Sequence, residues 1–388
     1  MKNIFCLVLL LTFTICVGKS LEKIDYKKNV PPGVVIHNSP AKTKSFIGSP
    51  CIIKCKDGSY LVSHDYFGNE HNRKSFIYRS YDGGKTWSLL SEIKDLYWSS
   101  LLEKQDGIYL IGVQAVMNNT YGNAVVLKSV DGGKTWTNPV NSHTGLLLSG
   151  NYHCAPVPVV RYNGRIWRAM EVHKTHDGWG KFKAFMMSIK EDDDMLDASK
   201  WIFSNYLDFP LDSMSIGTAW LEGNIVVAPD GSIKDVLRVH YDKDNVAAVV
   251  DISPDGKKAT FNKKEGFIDF PGGCKKFTIR YDSISKKYWS LTNYPVEESL
   301  KKSSNVERIR NTLVLSCSED LYNWEIKDTL MHHPDVFFHA FQYLDWIIEG
   351  EDIIAVSRTA WEDATGRADS QHNANYITFH RFCDFRFR

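Results

Sequence analysis

Residues 80–87 read Ser80-Tyr81-Asp82-Gly83-Gly84-Lys85-Thr86-Trp87, and residues 129–136 read Ser129-Val130-Asp131-Gly132-Gly133-Lys134-Thr135-Trp136. Two near-copies of one octapeptide mean a repeated structural unit, and their separation falls near the roughly 40–50 residues of a propeller blade. Each copy follows a short apolar run, residues 76–79 (FIYR) and 125–128 (VVLK). The local physics is that of a hairpin. The Asp accepts backbone N–H bonds across the turn, the two Gly supply positive φ, and the Trp folds back over it. A degenerate third copy occupies residues 318–324 (SEDLYNW).

A second pattern counts the units. Six times an apolar run meets a polar turn and returns as another apolar run. The turns are Asp57-Gly58, Asp106-Gly107, Asn163-Gly164, Asp230-Gly231, Ser285-Lys286 and Gly350-Glu351. Six hairpins, each followed by room for a second, describe an all-β, six-bladed β-propeller. Helical periodicity is nearly absent. Residues 33–37 (GVVIH) are expected to complete the last blade beside residues 375–380 (NYITFH), so that no edge is left open.

Composition agrees and excludes other classes. The 388 residues are 43% hydrophobic and 24% charged, enough for a large core, and 13% are aromatic, which suits strands. Net charge is +1, so no global field favours nucleic acid or an anionic membrane. Lys2 followed by the apolar run 4–17 and then Gly18, Lys19 and Ser20 reads as a signal peptide over residues 1–20. That run is too short for a transmembrane anchor, so an exported protein with one domain over residues 21–388 is expected. The six cysteines beyond residue 20 show no CxxC or metal-like spacing and are expected to be buried thiols.

The SxDxGxxW box resembles that of the Asp-box (BNR-repeat) β-propellers, the superfamily of the sialidases and related secreted glycosidases. Residues 270–280 and 333–346 further resemble a sialidase-like branch of secreted bacterial proteins. The resemblance implies that the boxes are structural and lie opposite the active site. It also implies an arginine triad for a substrate carboxylate, with a Tyr nucleophile backed by Glu. Here the chain departs from the family. Residues 46–50 read FIGSP, so Gly48 stands where the family's Arg-Ile-Pro motif carries its Arg, and Phe67 stands in place of a second Arg. Without those guanidinium forks sialic acid itself is disfavoured.

Propeller topology places residues just before the first strand and just after the second strand of each blade on one rim. The candidates for catalysis there are Asp65, Glu171, Glu222 and His153, since paired carboxylates can cleave a glycosidic bond. Candidates for binding substrate are His64, Arg238, His240, Lys276, Tyr294, His339, Gln342, Arg358 and Trp361. Tyr294 with Glu222 is the candidate nucleophile pair. Trp98, Trp179, Trp220 and Trp361 are candidate sugar platforms. The His332–Asp335–His339 stretch lacks a metal-ligand spacing, so no metal and no cofactor are expected. The reading is a secreted glycoside hydrolase acting on an oligosaccharide or polysaccharide. The alternatives are a uronate lyase using Arg238, Lys276 and Arg358, or a glycan-binding propeller without catalysis.

Overall fold

Short runs of β-branched and aromatic residues, cut by turns that demand positive φ, give antiparallel meanders rather than helices. In this computed structural model, residues 30–69, 71–115, 122–173, 181–213 and 215–388 are described. The expected signal peptide and Trp179 lie outside the described residues. The longest α-helix among the described residues is the single turn Glu297–Leu300.

The first sheet runs Cys51–Lys54, Tyr60–Phe67, Lys74–Ser80, Ser88–Lys94, with Phe46–Ile47 on the upper end of its second strand. An eight-stranded sheet follows and holds two meanders. Leu96–Lys104, Gly107–Ala115, Gly122–Ser129 and Leu146–His153 form one; Val160–Tyr162, Arg165–Val172, Lys183–Lys190 and Ile202–Phe203 form the other. They are joined where Tyr152 and His153 pair with Val172 and Glu171. The next sheet is built on Trp220–Val227, Ile233–Val239 and Val246–Ile252, and the one after it on Thr278–Asp282, Lys287–Asn293, Thr312–Ser318 and Glu325–His332. Ala340–Glu349, Asp352–Ala360 and Tyr376–Phe382 make the last sheet, whose outer strand is Val34–Asn38. The expected closure by the N-terminal strand is therefore present.

The innermost strands surround one axis. Ala340–Glu349 packs against Cys51–Lys54 on one side and Thr278–Asp282 on the other, which closes the ring. The chain is an all-β propeller. Because neighbouring inner strands splay apart, their backbone groups find side chains instead of a ladder. Ile52 N donates to Asp345, Trp98 N to Asp65, Gly223 N to Glu171, and Ile279 N to Asn224. Ser100 and Thr278 donate to the carbonyls of Val157 and Leu344. Apolar side chains of adjacent sheets fill the wedges between them, as where Trp289, Trp346 and Trp361 meet.

The Asp boxes sit on turns after the third strands. Asp82 accepts from Thr86 N (2.9 Å), Ser80 Oγ accepts from Gly84 N, and Trp87 Nε1 donates to Gly84 O. Asp131 and Trp136 repeat these bonds, and Asp320 and Trp324 keep most of them. The hydrogen bonds from Thr86 hold the Asp82 carboxyl down at about 2. A fourth box escapes the sequence reading. Ser253 donates to Asp255 (2.6 Å) and accepts from Lys258 N, with Gly256 at φ 73°, but no Trp follows. Five cysteines, Cys51, Cys55, Cys154, Cys274 and Cys317, are buried thiols as expected; Cys383 departs from that expectation, being half-buried and disulfide-bonded.

Ile36 of the closing strand is buried against the first and last sheets. Ile36→Ala is expected to cost about 2 kcal/mol in urea denaturation, the low end for a buried Ile. Deleting residues 30–38 exposes the edge of Tyr376–Phe382 and should turn a monodisperse protein into aggregate on size-exclusion chromatography.

Candidate active site

Three inner strands carry a β-bulge at the same height. The pairing register slips between Tyr97 and Ser100, between Leu221 and Asn224, and between Gln342 and Asp345. At each slip a non-glycine residue takes left-handed φ: Trp98 (51°), Glu222 (51°) and Tyr343 (54°). Such backbone costs on the order of 1–3 kcal/mol each and persists only where its surroundings impose it. A bulge re-aims a side chain that strict alternation would send into the sheet.

Around Tyr343 the structure gathers three arginines. Arg238, on the strand Ile233–Val239, donates from Nη1 to Glu222 Oε2 (2.8 Å) and to Tyr343 Oη (3.3 Å). Its Nη2 reaches Glu307 and its Nε the Cys274 carbonyl (2.9 Å). Arg310 lies 5.3 Å from the centre of the Tyr343 ring and donates to Gln342 Oε1 (2.6 Å). Arg358 lies 4.7 Å from the same ring and 4.6 Å from the Phe67 ring. Tyr343 itself is 9% exposed. Burial, with Arg310 as a like charge, lowers Arg358 to about 10. Burial raises the Asp65 carboxyl to about 6, against the opposing pull of the Trp98 and Ser49 N–H groups and Arg358. Glu307 is held far below its ordinary value despite burial, by His240 and Arg238.

The residues singled out from the sequence divide. Asp65, Glu222, Arg238, Gln342 and Arg358 converge here, with His240 on Glu307 (3.3 Å) at the edge. Glu171 and His153 are instead locked to one another (3.1 Å) in the interior, with Glu171 also holding Gly223 N, so neither faces a substrate. His64 alternates away from Asp65 into an aromatic stack with Phe76, Tyr78 and His37. Lys276 is buried and donates to Thr278 Oγ1 and the Leu344 carbonyl, so it binds the protein's own backbone. Trp361 and Trp220 are core residues; Trp98 is half-buried at its bulge and packs on His153.

Tyr294 follows its strand, half-buried; the tyrosine that Arg238 ties to Glu222 is Tyr343. His339 lies between Asp335 (2.7 Å) and Glu362 (2.9 Å), which raise it, against its burial. His333 stacks on His339 at 3.6 Å with ring planes 16° apart. His333, Asp335 and His339 bring their ligand atoms within 4.8 Å of one another, a grouping that could hold a metal ion and that the sequence spacing did not suggest. Two cavities, of about 830 and 720 Å³, open on the opposite mouth of the axis, and both are lined in part by Pro158, Val159, Ile347 and Ile348. They contain none of the residues around Tyr343.

No protein-family model and no curated protein matches this chain. Solved structures do. A Hadza microbial sialidase aligns at 13% identity over 90% of this chain and 68% of its own, with a TM-score of 0.61. The Fusarium graminearum α-L-arabinofuranosidase solved with arabinobiose aligns at 13% identity over 91% and 98%, TM-score 0.56. A Dyadobacter fermentans protein of unknown function aligns at 15% identity over 91% and 100%, TM-score 0.58. The fold is the sialidase-like β-propeller. At these identities the likeness is one of fold, and the chemistry has to be argued from the side chains.

Gly48 and Phe67, noted in the sequence, both have defined surroundings. A Cβ at Gly48 would sit 1.5 Å from Asp65 Oδ1, so no side chain fits there while Asp65 holds its place. Phe67 offers its ring face to Arg358, which brings a guanidinium to that side from the far strand Asp352–Ala360. Sequence reasoning missed Arg310, Glu307 and Tyr343. Arg310 could have been found, because the start of a third strand lies on the same rim as the end of a second. Tyr343 could not, since a bulge leaves no mark in the alternation.

Asp65 accepts from Ser49 N (2.9 Å) on one oxygen and Trp98 N (2.7 Å) on the other. The two carboxylate oxygens are therefore both engaged, and the near-isosteric amide is not equivalent. Asp65→Asn must turn its NH₂ toward one of these N–H groups and is expected to lose about 1–3 kcal/mol in urea denaturation.

Proposed function

We propose that this protein is an exported, six-bladed glycoside hydrolase, one domain from about residue 21, whose substrate is a glycan bearing a carboxylate sugar. The observation that carries this reading is an imbalance of charge. Arg238 is neutralised by Glu222 and Glu307. Among the described residues Arg310 and Arg358 have no ion pair; they donate to Gln342 and to the carbonyls of Glu307 and His372. The buried Arg358 Nε has no hydrogen-bond partner at all. Two buried guanidinium groups beside one ring are costly unless an anion completes them, and a planar carboxylate matches their fork geometry. Solved neighbours of the same fold include sialidases and an arabinofuranosidase, which supports a glycan as the carrier of that anion.

In this reading Tyr343 Oη attacks the anomeric carbon while the glycosidic C–O bond breaks, and Asp65 gives its proton to the leaving oxygen. The covalent glycosyl–tyrosine is then opened by water, whose proton returns to Asp65. Arg238 stabilises the phenolate through the hydrogen bond to Oη; Glu222 takes the phenol proton in the first step and returns it to Tyr343 Oη in the second. An acid that must donate at its pKa of about 6 works below that pH. Accordingly, kcat/KM is expected to fall as pH rises through about 6.

The test is a product analysis on glycans ending in carboxylate sugars and on neutral ones. A saturated reducing sugar released from the carboxylate class alone is expected. Arg358→Met should lower kcat/KM about 10- to 100-fold, the worth of a charged hydrogen bond. Tyr343→Phe should abolish any glycosyl–peptide adduct on mass spectrometry. An unsaturated product absorbing in the ultraviolet would make the protein a lyase, and binding without turnover a lectin.

A further inference from the structure

Each of the three bulges is held by a buried side chain reaching across from the preceding strand system. Asp65 accepts from Trp98 N (2.7 Å), and Glu171 accepts from Gly223 N (3.3 Å), the residue after Glu222. At the third bulge the polarity is reversed. Lys276 Nζ and Thr278 Oγ1 both donate to the carbonyl of Leu344, the residue after Tyr343, at 2.5 and 2.9 Å. Lys276 also donates to Thr278 Oγ1 (2.7 Å), so the three groups form a closed set. Both side chains are buried, and neither touches Tyr343, Arg310 or Arg358 through any of these bonds.

We infer that Lys276 and Thr278 are positioning residues that fix the Leu344 carbonyl and so aim the Tyr343 phenol at Arg238, as Glu171 fixes the bulge that aims Glu222. The argument is steric and electrostatic. Tyr343 at φ 54° sits in a region that L-residues leave unless held. Leu344 is the next residue, so rotating its carbonyl turns the peptide plane that follows the strained one. A buried ammonium spent on one backbone carbonyl and one hydroxyl is an unusual use of charge, and burial brings its pKa down to about 8. The facing carboxylates, Glu222 and Asp345, and the Cys51 thiol lie close enough to favour its charged form, with Arg280 opposing. The inference deepens the reading of Tyr343 as nucleophile and rests on it.

The experiment uses the full-length protein with 3-fluorotyrosine incorporated, the Tyr343 ¹⁹F signal being identified by its loss in Tyr343→Phe. Three variants are compared with wild type: Lys276→Met, Thr278→Val and Thr278→Ser. Lys276→Met and Thr278→Val are expected to shift or broaden that signal. They should also lower kcat about 10- to 100-fold, the effect of roughly 1 Å of misplacement, with KM within about twofold. Thr278→Ser keeps the hydroxyl and should recover most of what Thr278→Val loses. A signal and kcat unchanged in folded Lys276→Met and Thr278→Val overturn the positioning role while leaving the hydrolase reading intact. A shifted signal in a protein whose wild type hydrolyses no glycan sustains the positioning and sinks the hydrolase reading. Should Lys276→Met fail to fold, the Thr278 pair alone decides.

Discussion

Everything in this molecule depends on how inner strands that cannot hydrogen-bond to one another are nevertheless joined. In a closed sheet ring the edges at the axis diverge, and each exposed N–H or C=O there must find a partner or cost free energy. Here the partners are side chains from the neighbouring sheet, on its first or second strand: Asp345 for Ile52, Asp65 for Trp98, Glu171 for Gly223, Asn224 for Ile279. Ser100 and Thr278 serve the carbonyls of Val157 and Leu344. The junctions therefore consume polar and charged residues that a reader of the sequence would assign to chemistry.

That constraint also explains where the chemistry sits. Bulges at Trp98, Glu222 and Tyr343 break the alternation at the same level on three strands, and the bonds that satisfy the junctions hold the bulges. The site is thus an outgrowth of the closure. Its rigidity comes from the same bonds that join the ring, and its polarity from arginines brought in by second and third strands. Asp65 belongs to both systems, since it ties the first sheet to the second and lies beside Arg358. Moving it would disturb the ring as well as the site.

The charge pattern separates structural from unspent groups. Glu171 and His153 satisfy each other, His339 lies between two carboxylates, and Arg238 between two others. Against that background of closed accounts, Arg310 and Arg358 stand out because carbonyl and amide oxygens alone receive them. A guanidinium can bind neutral oxygens, but a carboxylate oxygen gives a stronger bond at the same distance.

The repeat, the strand-and-turn order and the closing strand were legible in the residues alone, because apolar runs, Asp-Gly turns and the two intact boxes are local signals with one physical reading. The sequence also pointed to Asp65, Glu222, Arg238, Gln342 and Arg358, because strand ends in a repeat reach the same rim. It did not show that His64, His153, Glu171, Lys276 and Trp361 are buried and spent on the protein's own interior, since a polar or aromatic residue at a strand end reads alike whether it faces the axis, a neighbouring sheet or a backbone carbonyl. Only the tertiary structure decided that Tyr343 turns inward, because a bulge is a choice of pairing between strands and has no signature in either one. Only it could bring Arg358 over Phe67, a contact between residues far apart in the sequence. Local rules fix which groups reach the rim. Closure of the ring decides which of them remain free to act.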